Sequence, residues 1–338
     1  MLRGPTLVAF LAALLAGCGP DPVPVAQLDW AQPTHPTPAP ARQLPRLAIS
    51  GTHLVRSDTG APLKLRGVNV CSLEFDRDGA NWKLGKDGSA VLQVLADRAR
   101  WGANAVRVPV NQQWFLEDEA YVARVETLLD QANALGLYAL LDVQWEVGAT
   151  LEPYSRNILE RPTFGPGNTT EAFWLAASSR WANRTNVLYD LINEPHGHSD
   201  QSSAQAMQVL VDAIRTRDQA TVLVVGGPDW AHSVDFYRTH PLRGAHVLYS
   251  AHQYLPYDPP DGFPARFLDA SKSVAVIVGE FLSDAEHPDY ARALVDAVEG
   301  SDVNGWLPWA ICCGFDENAD RGSEPFAFLA RQMRAHAP

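Results

Sequence analysis

Short apolar runs alternate with segments of helical spacing along most of this chain, and no other feature of the sequence constrains the fold so strongly. Between residues 89 and 100, for example, apolar residues recur at 91, 92, 95, 96 and 99, which is a helical spacing. A strand that is repeatedly followed by a helix builds a parallel sheet. Eight such units predict an α/β fold in which the sheet closes on itself, a single (β/α)8 barrel of the TIM type.

The apolar runs predict barrel strands at 65–70, 104–109, 137–143, 187–192, 221–225, 247–251, 274–278 and 305–310. Helical spacing predicts helices at 89–100, 117–135, 171–181, 204–217, 288–298 and 324–334. We also predict a short N-terminal β-hairpin before the barrel. Its arms, 52–56 and 62–70, flank the turn signal Asp58-Thr59-Gly60.

Two of the predicted strands end in a glutamate. The run 187–192 leads into Asn193-Glu194-Pro195, and the run 274–278 leads into Gly279-Glu280. Proline cannot continue a β-ladder, so the carboxylate before it is held at the rim of the sheet. A polar turn explains one such strand equally well, but two matched strands favour a pair of catalytic carboxylates. We therefore take Glu194 and Glu280 as the candidate catalytic residues.

Other predicted strands also end in polar or aromatic residues, and in a (β/α)8 barrel the active site lies at these carboxyl ends. Few of these side chains would be needed there for packing alone. The candidate substrate-binding or supporting residues are Arg107, Gln144, Trp145, Asn193, His252, Tyr254 and Trp309.

This set of residues resembles glycoside hydrolase family 5, a family of cellulase-like (β/α)8 glycosidases, over residues 47–335. The eighth hallmark position is commonly histidine in the family but is Gln144 here, which can donate and accept hydrogen bonds but cannot be protonated. The change from histidine to glutamine is expected to affect how the sugar at the cleavage point is bound, and so the identity of the substrate more than the activity. The seven hallmark positions that match are Arg107, Asn193, Glu194, His252, Tyr254, Glu280 and Trp309.

The resemblance implies a role for each matching residue. Glu194 is expected to act as the acid and then the base, with a pKa raised by a neighbouring carboxylate and by burial. Glu280 is expected to be the nucleophile, kept ionised by Arg107 and by the hydroxyl of Tyr254. Asn193 would bind the sugar 2-hydroxyl, His252 would hold the acid/base or the sugar, and Trp309 would form the floor under that sugar.

The implied activity is that of a retaining glycoside hydrolase without cofactor or metal, acting on a β-linked polysaccharide or oligosaccharide. An endo-acting enzyme on β-1,4-glucan ranks first and one on β-mannan second. An exo-acting β-glycosidase is an alternative, because loop lengths decide whether a cleft is open or closed. Candidate outlying sugar contacts, for which core packing is an equal alternative, are Trp114, Trp145, Trp174, Trp230 and Tyr257.

Two other functions compete with hydrolysis by paired carboxylates. His196-Gly197-His198 has the His-x-His pattern that binds divalent metals in several barrel enzymes. A metal hydrolase would carry that pair at the end of the first strand and an aspartate on the last, and this sequence has neither. A non-catalytic glycan-binding protein is the second competitor, and the presence of both glutamates argues against it.

The net charge of the chain limits the classes of molecule that it is expected to bind. With 27 Lys and Arg against 39 Asp and Glu, the formal net charge is −12. Nucleic acids and anionic membrane surfaces reward basic patches, so neither is expected as a partner. We expect a monomer whose partner is a glycan.

The N-terminus predicts an envelope protein. A short positive region and an apolar run precede Leu-Ala-Gly-Cys18, which resembles the bacterial lipobox and implies cleavage before Cys18 and its lipidation. An ordinary secretory signal is the alternative. The predicted organisation is a signal peptide at 1–17, a proline-rich linker at 18–45 and the catalytic domain at 46–338. The expected location is the bacterial cell envelope, with membrane attachment through the lipid.

The remaining cysteines follow the first and last barrel strands, which become neighbours when the barrel closes. A disulfide from Cys71 to Cys312 or Cys313 is therefore predicted in this oxidising compartment, with three free thiols as the alternative.

Overall fold

A two-stranded hairpin precedes eight parallel strands that close into a barrel. The computed structural model describes residues 43–71, 73–78, 83–145, 169–311 and 315–337, with the backbone alone for 83–89 and Trp145. Strand β10 pairs with both β9 and β3, which closes the sheet and confirms the predicted (β/α)8 fold. The strands are β1 Leu47–Ser50, β2 His53–Arg56, β3 Leu65–Asn69, β4 Ala105–Asn111, β5 Tyr138–Trp145, β6 Val187–Asp190, β7 Leu223–Gly226, β8 Val247–Gln253, β9 Val276–Phe281 and β10 Gly305–Trp306.

Apolar strand residues divide between two cores. Leu140, Leu188 and Ile277 belong to one cluster, which also contains Leu47 and Leu54 of the hairpin. The strand residues next to them in sequence belong to a second cluster shared with the helices. Because successive strand residues point to opposite faces, the first cluster fills the barrel and the second joins barrel to helices. The hairpin thus packs against the amino-terminal end of the barrel, opposite the strand ends that carry polar side chains.

Helices follow most of the barrel strands. The exception is the connection between β8 and β9, where the described chain forms only short 3-10 and π turns, at Pro260–Gly262, Pro264–Leu268 and Ala270–Lys272. The helices are α1 Lys83–Ala96, α2 Gln112–Glu117, α3 Glu119–Ala134, α4 Thr170–Trp181, α5 Asp200–Arg215, α6 Phe236–Thr239, α7 Pro288–Glu299 and α8 Phe326–Ala335.

The helix predicted at 117–135 is present as α3, Glu119–Ala134, but a separate short helix, α2, precedes it and was not predicted. Two helices meet at Asp118, whose backbone is extended and whose side chain accepts hydrogen bonds from the N–H groups of Ala120 and Tyr121. An aspartate that caps the following helix in this way interrupts the one before it.

The N-terminal hairpin is present and its predicted arm 52–56 forms β2, but the antiparallel partner of this arm is β1 and not the predicted 62–70. The arm at 53–56 pairs in antiparallel register with β1, and Gly51 at φ 62° makes the turn between them. The segment after Asp58-Thr59-Gly60 contributes one bridge, Val55 to Pro62, before entering the barrel as β3. The apolar residues of β1 were overlooked because they directly follow the proline-rich stretch.

The last barrel strand is shorter than the predicted 305–310. Ladder pairing ends at Trp306, two residues before Pro308, which has no N–H to donate. Parallel contact resumes as isolated bridges from Trp309 to Leu282 and from Ile311 to Val70. The end of the strand therefore still lines the carboxyl rim of the barrel.

Most of the segment before the barrel lies outside the described residues. The predicted signal peptide, the lipidated Cys18 and nearly all of the proline-rich linker belong to it, so the anchor and the domain limits stay predictions. Within the described ranges, none of the helices combines the length and apolarity needed to cross a membrane. Cys71 is disulfide-bonded. Its predicted partners, Cys312 and Cys313, are not among the described residues.

Candidate active site

The two candidate catalytic glutamates face each other at the carboxyl end of the barrel. Glu194 follows β6, and Glu280 lies on β9. Both are almost fully buried, and an oxygen of each carboxylate lies within 4.8 Å of the other and of a ring nitrogen of His252. The structure thus brings together two acids that are 86 residues apart in sequence.

The backbone at Glu194 is held in an unusual conformation. Its φ is 47°, in the left-handed region that costs a side-chain-bearing residue of order 1–3 kcal/mol. The N–H of Asn193 donates to the carbonyl of Val143 on β5 at 2.9 Å, and a ring nitrogen of His196 lies 2.9 Å from the carbonyl oxygen of Glu194. These contacts fix the segment, together with Pro195, so that the carboxylate is presented at the rim.

Arg107 is the centre of the site. It is completely buried on β4, where its guanidinium donates four hydrogen bonds and forms an ion pair with a further carboxylate. Three of these partners are carboxylates, and the bond to the candidate nucleophile is the shortest. The hydrogen-bond acceptors are Asp190 at 2.7 Å, Asn69 at 3.0 Å, Glu280 at 2.5 Å and Asn193 at 3.1 Å, and the ion-pair partner is Asp142 at 3.0 Å.

The sequence analysis missed three of these partners, Asn69, Asp142 and Asp190. Asn69 also donates through its side chain to carbonyls of β9 and of the segment after β10, the nearest being that of Gly279 at 2.9 Å. A signal was present, because a charged residue within an apolar strand is almost never buried without a partner. Asp142 and Asp190 each lie in such a run, and both form ion pairs with the buried Arg107.

Glu280 has two further polar contacts besides Arg107. The Tyr254 hydroxyl donates to its second oxygen at 2.8 Å, and His252 Nδ1 lies 3.7 Å from the first. Burial raises the pKa of Glu280, whereas His252, Arg107 and the tyrosine hydroxyl oppose that rise. Burial also raises the pKa of Asp142, another carboxyl beside Arg107, well above its ordinary value, so this group favours its protonated form.

Glu194 binds its proton more tightly than an ordinary carboxyl. Burial raises its pKa to about 7, against the charges of His232 and Arg107. We expected a neighbouring carboxylate to share in this shift, and Asp258 does so after the larger effects. The environment therefore favours the protonated acid at Glu194 close to neutral pH.

His252 is a neutral partner of Glu194. Its Nδ1 lies 3.0 Å from Glu194 Oε1, and burial lowers the pKa of the imidazole to about 4. Space for the ring depends on Gly279 of β9. A Cβ there would lie 3.2 Å from His252 Nε2 and only 2.3 Å from Ser250 Oγ, which explains the glycine next to Glu280.

Three further predicted site residues lie at the ends of their strands. Trp309 is half-buried, and its carbonyl accepts from the hydroxyl of Ser283 at 2.9 Å. Gln144 is 8% exposed, and its Oε1 has no hydrogen-bond partner in the described chain, so it can accept from a ligand. Trp145 ends β5, but its side chain is outside the description.

The outlying aromatic residues differ in their environments. Trp174 is fully buried and its ring N–H donates to the carbonyl of Leu191 at 2.8 Å, so of its two alternatives the structure shows core packing. Trp114 packs at the edge of the core, with its ring centroid 5.8 Å from that of Tyr121. Trp230 and Tyr257 stay accessible: Trp230 is half-buried and Tyr257 is 40% exposed.

Within the described chain, neither histidine of the His-x-His pair belongs to a group of three side chains close enough to share a cation. His196 stacks on Trp230 at 3.5 Å between ring centroids and 7° between planes. In the described chain, the side chains close enough to share a cation are Glu194, His252 and Glu280, the candidate catalytic set itself.

A closed (β/α)8 barrel that presents two facing, buried carboxylates at its strand ends is an architecture of glycoside hydrolases. The family model for cellulase, glycosyl hydrolase family 5, matches residues 57–312. The chain therefore belongs to glycosyl hydrolase family 5.

Individual relatives are distant. An endoglucanase of Clostridium saccharobutylicum is 22% identical over 278 residues, and endoglucanase E-5 of Thermobifida fusca is 25% identical over 298. These alignments cover 79% and 84% of this chain but only 57% and 59% of the two relatives. The fold is similar to β-glucanase SdGluc5_26A of Saccharophagus degradans in complex with cellotetraose. That match has a TM-score of 0.71 at 20% identity and covers 92% of this chain and all of the other.

Proposed function

We propose that this protein is an endo-acting, retaining β-glucanase that cleaves β-1,4-linked glucan. The observation that carries the proposal is the approach of the Glu194 and Glu280 carboxylates, whose oxygens lie within 4.8 Å, with Glu280 held by Arg107 and Tyr254. Retaining glycosidases place their carboxyl groups ~5–5.5 Å apart, whereas inverting enzymes need ~6.5–9.5 Å to admit a water. The named activities of the relatives and the cellotetraose bound by SdGluc5_26A support glucan as the substrate.

In the first half of the reaction, Glu194 donates its proton to the glycosidic oxygen while Glu280 attacks the anomeric carbon. The leaving chain departs as an alcohol, and the sugar becomes an ester on Glu280. Arg107 and Tyr254 hold the two oxygens of Glu280, so the nucleophile keeps its charge and direction. Asn193 accepts from Arg107 through its side-chain oxygen and also hydrogen-bonds Glu194, and its amide N–H that faces the substrate is the donor for the sugar 2-hydroxyl.

In the second half, the Glu194 carboxylate takes a proton from a water molecule as the water oxygen attacks the anomeric carbon and displaces the Glu280 carboxylate. The bond to Glu280 breaks, and the sugar leaves with its original anomeric configuration. Nδ1 of the neutral His252 ring accepts from protonated Glu194 in one tautomer and donates to the ionised carboxylate in the other.

The choice of substrate is tested with a panel of soluble polysaccharides and product sizing over time. We expect carboxymethylcellulose and mixed-linkage β-glucan to give mixed oligomers from the first minutes, and β-mannan to be cleaved more slowly. Glucose as the sole early product would contradict endo action. Faster cleavage of β-mannan would contradict the preference for glucan.

The pH dependence of kcat/KM follows from the two carboxyl groups. Glu194 must be protonated, and its pKa is about 7, so kcat/KM is expected to fall as pH rises through about 7. Glu280 must be ionised, so kcat/KM is expected to fall again at acid pH, below the raised pKa of that group. Initial rates on a soluble cello-oligosaccharide at low concentration across the pH range check this bell shape. A profile flat to pH 9 would contradict the role of Glu194.

The predicted lipid anchor at Cys18 would place this activity on the bacterial envelope. That location rests on the N-terminal sequence pattern.

A further inference from the structure

One buried oxygen atom connects the two sides of the site. Asp258, at the end of the loop after β8, is completely buried. Its Oδ2 lies 2.7 Å from Nδ1 of His232 and accepts the backbone N–H of Tyr254 at 3.0 Å. Tyr254 in turn donates its hydroxyl to Glu280. Neither His232 nor Asp258 was among the predicted site residues.

The backbone that leads to His232 is held in a conformation that side-chain-bearing residues avoid. Asp229, Trp230 and Ala231 have φ values of 59°, 64° and 56° in succession. Each left-handed residue of this kind costs roughly 1–2 kcal/mol, and such runs persist only where the surroundings impose them. This constrained turn fixes the position of the backbone from which the His232 side chain extends.

This strained turn is bonded to the residues around Glu194. The N–H of Trp230 donates to the carbonyl of Pro195 at 2.9 Å, directly after the acid/base residue. The carbonyl of Ala231 accepts the N–H of His252 at 2.8 Å, and His252 contacts the Glu194 carboxylate. The backbone directly before His232 is therefore hydrogen-bonded to Pro195, which follows Glu194 in sequence, and to His252, which contacts the Glu194 carboxylate.

Charged groups face His232 from both directions. Asp258 lies on one side, and its other oxygen is 3.3 Å from Nε of Arg266. On the other side, a positive charge on His232 is the largest charge effect that lowers the pKa of Glu194, and it also lowers the pKa of His252. The ring of Tyr257 packs near the imidazole, with centroids 5.6 Å apart.

We propose that Asp258 is a positioning residue for both halves of the site: it fixes the His232 imidazole beside Glu194 and holds Tyr254 against Glu280. The proposal rests on the glycosidase function proposed above. Through these two contacts, a single carboxylate fixes the imidazole next to the turn that is bonded to Pro195 and His252, and it also places the hydrogen-bond donor of the nucleophile.

The substitution His232→Gln isolates the charge, because glutamine keeps a donor for Asp258 but cannot be protonated. Loss of the nearby positive charge is expected to move the alkaline limb of kcat/KM to higher pH by about 0.5–1 unit. The same change is expected in an NMR titration of the ¹³C-labelled Glu194 carboxyl, which needs no substrate. An unchanged titration of Glu194 in His232→Gln would overturn the placement of the imidazole beside Glu194.

The substitution Asp258→Asn tests positioning, with Asp261→Asn as the matched control because Asp261 is exposed in the same loop. We expect kcat to fall about 10–100-fold in Asp258→Asn with a small change in KM, since misplaced catalytic groups slow the chemical step. Asp261→Asn should stay within about twofold of the wild type, as surface substitutions usually do. Equal rates in the two variants would overturn the positioning role.

The two proposals fail in different ways. A wild-type protein that releases no oligomers from any β-glucan refutes the proposed function, while the Glu194 titration in His232→Gln still tests the placement of the imidazole. Should Asp258→Asn not fold, Asp258→Glu replaces it, because glutamate keeps the charge but moves the carboxylate by one methylene group, and an unchanged kcat in that variant would overturn the positioning role.

Discussion

Replacing Glu280 with alanine is expected to abolish turnover, with kcat lowered on the order of 10⁵-fold or more, as for other essential nucleophiles. The loss has two causes in this site. First, no ester can form between the enzyme and the anomeric carbon. Second, Arg107 loses its shortest hydrogen bond and keeps only Asp142 and Asp190 as carboxylate partners. The measurement is hydrolysis of a cello-oligosaccharide and of an aryl cellobioside.

A suitable control is Glu286→Ala, because this glutamate is exposed a few residues further along the chain. It should hydrolyse both substrates at close to the wild-type rate. Thermal unfolding of Glu280→Ala must show a cooperative transition, so that lost activity is not lost structure. Near-normal hydrolysis by folded Glu280→Ala would show that this residue is not the nucleophile.

Replacing Glu194 with alanine is expected to have an effect that depends on the leaving group. Cello-oligosaccharides need a proton on the departing oxygen, so their hydrolysis should fall roughly 10²–10⁴-fold, the usual contribution of general acid catalysis. An aryl glycoside with a strongly acidic phenol leaves without that proton and should still form the ester on Glu280. Comparison of the two substrates in the same variant measures the acid role.

Azide separates the two glutamates by stereochemistry. In Glu194→Ala it should attack the ester from the face that water normally uses and yield a β-glycosyl azide. In Glu280→Ala it should take the place of the nucleophile and yield the α-azide from an activated donor. Rescue of Glu194→Ala with the α-product, or equal losses on both substrate types, would contradict the assigned roles.

The barrel could be predicted from the sequence because its signals are local. Runs such as Val276 to Val278 are buried on both faces, so nearly every residue is apolar and the strand is visible without knowledge of its neighbours. The pairing of Glu194 with Glu280 followed from topology alone, since the carboxyl ends of parallel strands meet at one rim.

The features that were missed depend on contacts between distant segments. Asp142 and Asp190 interrupt apolar strands, and their role becomes clear only from the ion pairs that both form with Arg107 of another strand. Asp258 has no local pattern at all, because its partners His232 and Tyr254 come from different loops or strand ends. The β1–β2 pairing and the early end of β10 likewise depend on a single turn glycine and a single proline, Gly51 and Pro308.

Whether two opposed carboxylates act in two successive displacements is decided by the configuration of the first sugar released. Proton NMR can follow the anomeric signals of the products during the first minutes of cellotetraose hydrolysis, before mutarotation equilibrates them. The arrangement of Glu194 and Glu280 predicts that the β-anomer appears first and the α-anomer grows in only at the rate of mutarotation. Initial appearance of the α-anomer would mean direct attack by water and would contradict the account.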